Sequence, residues 1–276
     1  MRDPDLTVLV TVYDKIAPAH LRAALASIHT QTMQPADIIV VEDGPLPAAL
    51  RAVLNQSPDL RRFTLPRNLG AAAASQRGLD EVRTRWLARQ DADDISLPNR
   101  FEHQLNRARA LNVDVLGAAA LEFDTDPEHP RALRALPTDH EAIARYARIN
   151  NPVNNPSLLV RTDAIRQVGG YRHVPYQEDY DLMIRLLGAG YRFYNLPEPL
   201  VKFRVTDEQF TRRKNRELTT SERTIQRTLV EAGLISYPRA VANYLARSAY
   251  RRLPRSAMNA AYRQLFHRRT RSQPTD

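Results

Sequence analysis

Apolar positions along the chain follow two rhythms. In "LTVLVTVYD" (6–14) and "ADIIVVEDGP" (36–45) they run almost unbroken and include many β-branched residues, as in strands buried on both faces. "RRFTLP" and "RWLARQ" predict a third and a fourth strand. Between these runs the spacing changes to three and four. Leu21, Leu25 and Ile28 mark a helix with Pro18 near its start, where a missing N–H costs nothing. Residues 46–54 form a short helix, and "NLGAAAASQRGLDEV" reads as a loop leading into another. "LPNRFEHQLNRARAL" puts Phe101, Leu105 and Ala108 on one helical face. Strand and helix thus alternate four times, which predicts parallel strands with helical crossovers, an α/β sheet.

The second half is more mixed. "VDVLGAAALEF" (113–123) is a strand, and "PTDHEAIARYA" starts a helix capped by Thr138 or Asp139. "NPSLLVRTDAIRQVGGYR" predicts a strand, a short helix from Thr162 and a Gly-Gly turn. "YQEDYDLMIRLLGAG" is a helix with acids in its first turn and Gly188 or Gly190 at its end. "YRFYNLPEPLVKFRV" supplies one or two strands, and from about 206 the pattern is purely helical. These rhythms divide the chain into an α/β body, 1–205, and a helical extension, 206–276.

Charge sharpens that division. Residues 1–205 carry 25 basic and 25 acidic side chains, whereas 206–276 carry 15 and 6, so the whole net charge of +9 sits in the extension. Only Lys15, Lys202 and Lys214 of the 40 basic residues are lysines. So general a preference for arginine marks no single Arg as functional. A basic tail on a neutral body suggests an anionic partner, membrane or nucleic acid. The chain lacks cysteine, which excludes disulfides, thiol catalysis and cysteine-ligated zinc. No run of 18 apolar residues is present and the "MRDPDLTVLV" start lacks the features of a signal peptide, so a cytoplasmic protein is expected.

Polar residues gather where the predicted parallel strands end: Glu42 and Asp43, Asn68, and the trio Asp91, Asp93 and Asp94 in "LARQDADDIS". Ligands of such sheets bind beyond the carboxyl ends of the strands. Asp-x-Asp is short and common, and two readings compete. One is an Asp-rich turn in which Asp94 or Ser96 caps the next helix. The other is a site for Mg²⁺ or Mn²⁺, whose hard oxygen ligands are carboxylates, water and phosphate. A metal held by few carboxylates needs phosphate to complete its shell, so its partner would be a nucleotide diphosphate. The chain has nine glycines and neither G-x-x-x-x-G-K-[ST] nor G-x-G-x-x-G after its first strand, which disfavours a loop-held phosphate. The seven histidines show no metal-ligand spacing; His103 and His140 are expected at the surface or in packing, and Trp86 in the core.

Seven segments in this order resemble glycosyltransferase family 2, nucleotide-sugar-dependent enzymes of the GT-A type. They are "VLVTVYD", "VVEDG", "RNLGAAAASQRGL", "ARQDADD", "NNPSLLVR", "GGYR" and "QEDYDLMIR", and they cover about 1–205. "VEDGPL", "DADDISLPNRFE" and "EDYDLMIRLL" are similar to the bacterial exopolysaccharide subgroup that includes amylovoran biosynthesis enzymes. The resemblance implies a Rossmann-like mixed sheet flanked by helices. It implies inverting transfer of a hexose, from a nucleotide diphosphate sugar of the UDP type, to a hydroxyl of a glycan or polyprenyl-diphosphate-linked acceptor. Thr11, Tyr13, Glu42 and Asp43 would line the base and ribose pocket, bordered by Asn68, Gly70 and the helix through Arg77. The family usually has Asp where Glu42 stands, and many members have Asn where Gln76 stands. Asp91 and Asp93 would hold ribose and a divalent cation, with Asp93 the first choice as ligand. Asp94 would cap the helix or orient Arg100. Asp179 would be the general base, with Glu178 and Asp181 holding acceptor hydroxyls or Arg185. Acids stabilise any helix N-terminus, so the "EDYD" run also has a plain structural account. Asn155, often His in the family, would form a turn near the acceptor. Residues 202–217 would be a flap in which Arg204, Arg212 or Arg213 touches the diphosphate.

In the extension, "PRAVANYLARSAYRRL" sets Val241, Tyr244, Leu245 and Ala249 opposite Arg247 and Arg251, and "SAMNAAYRQLFHRR" repeats the design. These are either two helices packed on the body or a peripheral attachment to anionic lipid at the inner face of the cell membrane. The rival from another class is a non-enzymatic nucleic-acid or membrane binder acting through this tail. It leaves the acidic motifs unused, and no recognised nucleic-acid motif is present, so nucleic acid is not expected as a partner.

Overall fold

The computed structural model describes residues 2–205 and 216–250. Strands β1 (Arg2–Val12), β2 (Gln34–Glu42), β3 (Arg61–Thr64) and β4 (Trp86–Asp91) alternate with helices α1 (Pro18–His29), α2 (Ala48–Asn55) and α3 (Ala71–Glu81). All four strands pair in parallel, in the spatial order β3-β2-β1-β4, as the alternation predicts. Two short pieces escape the sequence pattern, β5 (Ile95–Ser96) and β7 (Ala132–Arg134). Runs of two and three residues show no period to detect. α4 (Arg100–Leu111) and β6 (Val115–Phe123) lie around them, followed by α5 (His140–Ala147), β8 (Leu159–Arg161), α6 (Thr162–Gln167), α7 (Glu178–Gly188) and β9 (Phe193–Arg204). The described sheet continues β4-β8-β6-β9-β5, with β8 antiparallel to both neighbours, which makes it mixed.

The unbroken apolar strands are explained by two cores, one on each face of the sheet. Val8, Val10, Trp86 and Ala88 face Leu21, Leu25, Leu50, Phe101 and Leu105 from α1, α2 and α4. Leu9, Val41 and Leu87 face Leu79, Ile143, Ile165, Leu182 and Leu186 from α3, α5, α6 and α7. Successive side chains of one strand serve opposite cores, so no polar alternation remains.

Two helices follow the body, α8 (Arg216–Glu231) and α9 (Tyr237–Tyr250). α8 is sealed to α7: Ile225 and Leu229 pack with Val174, Tyr180 and Ile184. Beneath them Asp181, 0% exposed, accepts from Arg185 Nε at 2.8 Å and from Thr228 Oγ1 at 2.9 Å. Arg185 also donates to the Val168 and Gly170 carbonyls at 2.6 and 2.7 Å. One buried ion pair thus ties α7 to α8 and to the Gly-Gly turn. Losing one partner strands the other charge away from water, at a cost of about 3–5 kcal/mol. Asp181→Ala should lower the denaturant midpoint accordingly, and Arg185→Ala should do the same.

Candidate active site

The carboxyl ends of β1, β2 and β4 meet, and each brings polar residues. After β2, Asp43 accepts from the backbone N–H groups of Leu69 (2.7 Å) and Gly70 (3.0 Å). This fixes the turn that opens α3. Gly44, at φ 91°, allows it, because a Cβ there would lie 2.6 Å from the Asn68 nitrogen. Asn68 itself is exposed at the rim. Thr11 and Tyr13 stand at the end of β1 and are half-buried.

β4 supplies the centre. Arg89 is 3% exposed and donates from Nη2 to Thr11 Oγ1 (3.2 Å) and Asp91 Oδ1 (3.1 Å). Its Nε and Nη1 are buried and without a partner. Asp91 also accepts from Asn155 Nδ2 at 3.3 Å. Asp93 is half-buried. Asp94 is buried, and its Oδ1 accepts from the Arg204 backbone N–H at 2.7 Å. Burial above all, then the charges of Asp93 and Asp91, holds the Asp94 carboxyl well above the usual range.

The first turn of α7 faces this edge. Asp179 accepts from Asn151 Nδ2 at 2.7 Å, and its Oδ1 accepts from the Tyr180 N–H. Burial pushes it up to about 6, with Asp91 adding to the rise and the Tyr180 N–H and Arg134 opposing it. Burial, then Asp179, pushes Glu178 up to about 8. Asp91 contributes to both shifts. The loop that joins the β4 and α7 carboxylates is 151–155: Asn151 bonds Asp179 and Asn155 bonds Asp91.

Several expected site residues are engaged elsewhere. Asp181 and Arg185 do not face an acceptor, since both are consumed by the buried α7–α8 link. Arg204 is no flap residue. It ends β9, is buried, and donates to the backbone oxygens of Asp93 (3.1 Å) and Asp124 (2.9 Å). Arg212 and Arg213 lie outside the described residues. Glu42 is buried against Arg62, which reaches it at 2.7 Å. Arg77 pairs with Glu81 at 2.7 Å and stacks on Phe63, which turns it from the site. Asp94 and Ser96 do not cap α4, whose N-cap is Asn99. Nor does Asp94 bond Arg100, which is held by Gln90, Ser96 and Gln104. The sequence pattern does not single out Arg89 or Asn151. A signal for Asn151 is present in "NNPVNNP", where four asparagines flank two prolines, but the string does not say which amide meets a carboxylate. Arg89 is hidden by the general abundance of arginine.

The donor set bears on a metal. Among the described residues no three His, Cys, Asp or Glu side chains form a ligand group. Asp91 and Asp93 are nevertheless half-buried, and the neighbouring Asp94 Oδ2 is buried without a partner. The hard carboxylate oxygens of Asp91 and Asp93 fit a divalent cation that takes its remaining ligands from a bound molecule.

The family described as Glycosyl transferase family 2 matches residues 7–169. The amylovoran biosynthesis glycosyltransferase AmsE of Erwinia amylovora is 33% identical over 93% of this chain and 97% of its own. An Escherichia coli protein named UDP-Gal:alpha-D-GlcNAc-diphosphoundecaprenol beta-1,3-galactosyltransferase is 30% identical over 96% and 98%. Among solved structures, S. aureus TarS 1-349 in complex with UDP-GlcNAc superposes with a TM-score of 0.67 at 15% identity, covering 88% of this chain and 72% of that 1-349 chain. The mannosyltransferase PcManGT of Pyrobaculum calidifontis, in complex with GDP-Man and Mn²⁺, gives 0.60 at 17%, covering 95% and 80%. The mixed sheet is the GT-A fold of these enzymes, and the chain belongs to glycosyltransferase family 2 and is a glycosyltransferase.

Proposed function

We propose that the protein moves a hexose from a uridine diphosphate sugar to a hydroxyl of a lipid-linked saccharide, with inversion, at the inner face of the cell membrane. One observation carries this reading: a single loop, 151–155, joins Asp91 at the nucleotide edge to Asp179 at the mouth of α7. A donor held at the first would present its anomeric carbon to an alcohol held at the second. The names of the relatives support the substrate classes, since one is named for a diphosphoundecaprenol-linked sugar and TarS is seen with UDP-GlcNAc.

Asp179 takes the proton of the acceptor hydroxyl as that oxygen attacks the anomeric carbon. The bond from that carbon to the diphosphate oxygen breaks on the opposite face, and the diphosphate leaves with the electron pair. Asn151 aims the Asp179 carboxylate. Glu178, raised to about 8, keeps its proton at neutral pH and so spares Asp179 a second adjacent charge. Arg89 anchors Asp91 and Thr11 beneath the donor. Asp91 and Asp93 would hold a divalent cation, Mn²⁺ or Mg²⁺, that neutralises charge on the leaving diphosphate.

Three outcomes are expected. Asp179→Asn should reduce turnover by about 10²–10⁴-fold, the usual worth of a general base, while calorimetry still shows donor binding. Unchanged turnover would remove Asp179 from the chemistry. Since Asp179 accepts a proton only when ionised, turnover at saturating substrate should rise with pH through about 6 and then level. A profile that stays flat across that pH contradicts the assignment. In a nucleotide-sugar panel, a UDP-sugar should raise the melting temperature with Mn²⁺ and not in EDTA. Equal stabilisation in both speaks against the metal.

A further inference from the structure

α9 is packed the wrong way round for a helix of a water-soluble body. Its outward residues are Tyr237, Val241, Leu245 and the alanines 242, 246 and 249. Tyr237 is 73%, Val241 43% and Leu245 61% exposed. They recur every four positions and form one stripe. Asn243, Tyr244 and Arg247 face the body, while Arg239 is exposed and bonds Asn243 of the same helix. Asn243 donates to the Arg148 carbonyl at 3.0 Å, and Arg247 donates to buried Glu222 at 3.3 Å and to the Ile149 carbonyl. The Tyr244 hydroxyl accepts from Arg223. The amphipathicity seen in the sequence is real, but the hydrophilic side is the docked one. An apolar helix face kept in water costs free energy with each exposed side chain, so this face is expected to have an occupant.

The charge around the stripe identifies its chemistry. From Tyr237 to Thr275 the sequence has nine arginines and no Asp or Glu. Two of them lie on α9, where Arg239 is exposed and Arg247 pairs with Glu222, and the other seven follow in the chain; an apolar stripe on so basic a segment matches acyl chains beneath anionic headgroups. A protein partner would ordinarily be met by charges of both signs. Position gives the surface a use. α9 grips the backbone of Arg148 and Ile149, Ile149 is itself 45% exposed, and two residues later Asn151 bonds Asp179. Among the described residues no helix is long and apolar enough to cross a membrane, so attachment through α9 would be in the plane of the surface.

We infer that the outward face of α9, Tyr237, Val241 and Leu245, is a docking surface for an anionic lipid bilayer, placed to bring the general-base side of the site to a membrane-borne acceptor. The use assigned to the surface rests on the proposed transfer reaction; the surface itself is tested without it. Full-length protein is sedimented at low salt with vesicles of phosphatidylcholine alone or with about one third phosphatidylglycerol, a composition in the anionic range that attracts basic segments. Binding is expected to the anionic vesicles and to fall at least tenfold in the double variant Val241→Asp, Leu245→Asp. Both positions are exposed, so the variant should melt as the parent does and keep its UDP-sugar binding. Three results overturn the inference. The wild type could stay in the supernatant with anionic vesicles. The variant could bind them as well as the parent, leaving the arginines as the whole attraction. Or the variant could melt much lower or change its oligomeric size, meaning that the stripe is covered by residues 255–268 or by a second copy. Failure of sugar transfer with intact vesicle binding would count against the proposed reaction alone.

Discussion

Repulsion among carboxylates gathered at one sheet edge is the constraint around which this protein is arranged. Parallel strands end together, and here β4 ends in three aspartates while α7 begins with Glu178 and Asp179 opposite them. Like charges at short range in a poorly hydrated recess must be paired, neutralised or offset by a ligand. The molecule shows the first two. Arg89 pairs Asp91 from below and the Arg204 N–H binds Asp94. Glu178 and Asp94 are pushed toward their neutral forms. A cationic ligand would be the third, at the edge where Asp91 and Asp93 are half-buried.

The same constraint separates the two carboxylates of α7 by role. Glu178 and Asp179 are adjacent in sequence and both are raised, yet only Asp179 has an amide aimed at it from the 151–155 loop. Environment distinguishes two carboxylates that composition makes equal. Two residues on, Asp181 turns to the opposite side of the helix and serves structure alone, welded to Arg185 and Thr228. Alternation of function within one turn follows from helical geometry, since positions two apart point away from each other.

The C-terminal helices extend this logic. α8 brings buried Glu222 to the body's surface, and the most direct way to neutralise it is an arginine from α9. Arg247 answers that need, and in doing so it rotates the apolar side of α9 outward. The polar contacts of Arg247 and Asn243 with the body thus go with an orientation that hydrophobicity alone would not give.

The legible part of the architecture is local. Continuous apolar strands, helical spacing and acids at strand ends are each set by near neighbours, so the parallel half-sheet, the helices around it and the acidic edge are all legible in the string of residues. The Asp-x-Asp motif lies at that edge, whereas the "ED" pair stands out only through the family resemblance. Partners across long separations were decided only in the tertiary structure. Periodicity tells which residues share a face but not which face turns inward, and α9 shows the difference. A charged residue announces that it needs a partner without saying where the partner lies, so Asp181, Arg204 and Glu42 read as site residues until the fold supplies the Thr228 hydroxyl, the Asp93 and Asp124 carbonyls, and Arg62. Arg89 and Asn151 are invisible for the converse reason: each gains a role only because folding sets it beside a carboxylate of the site.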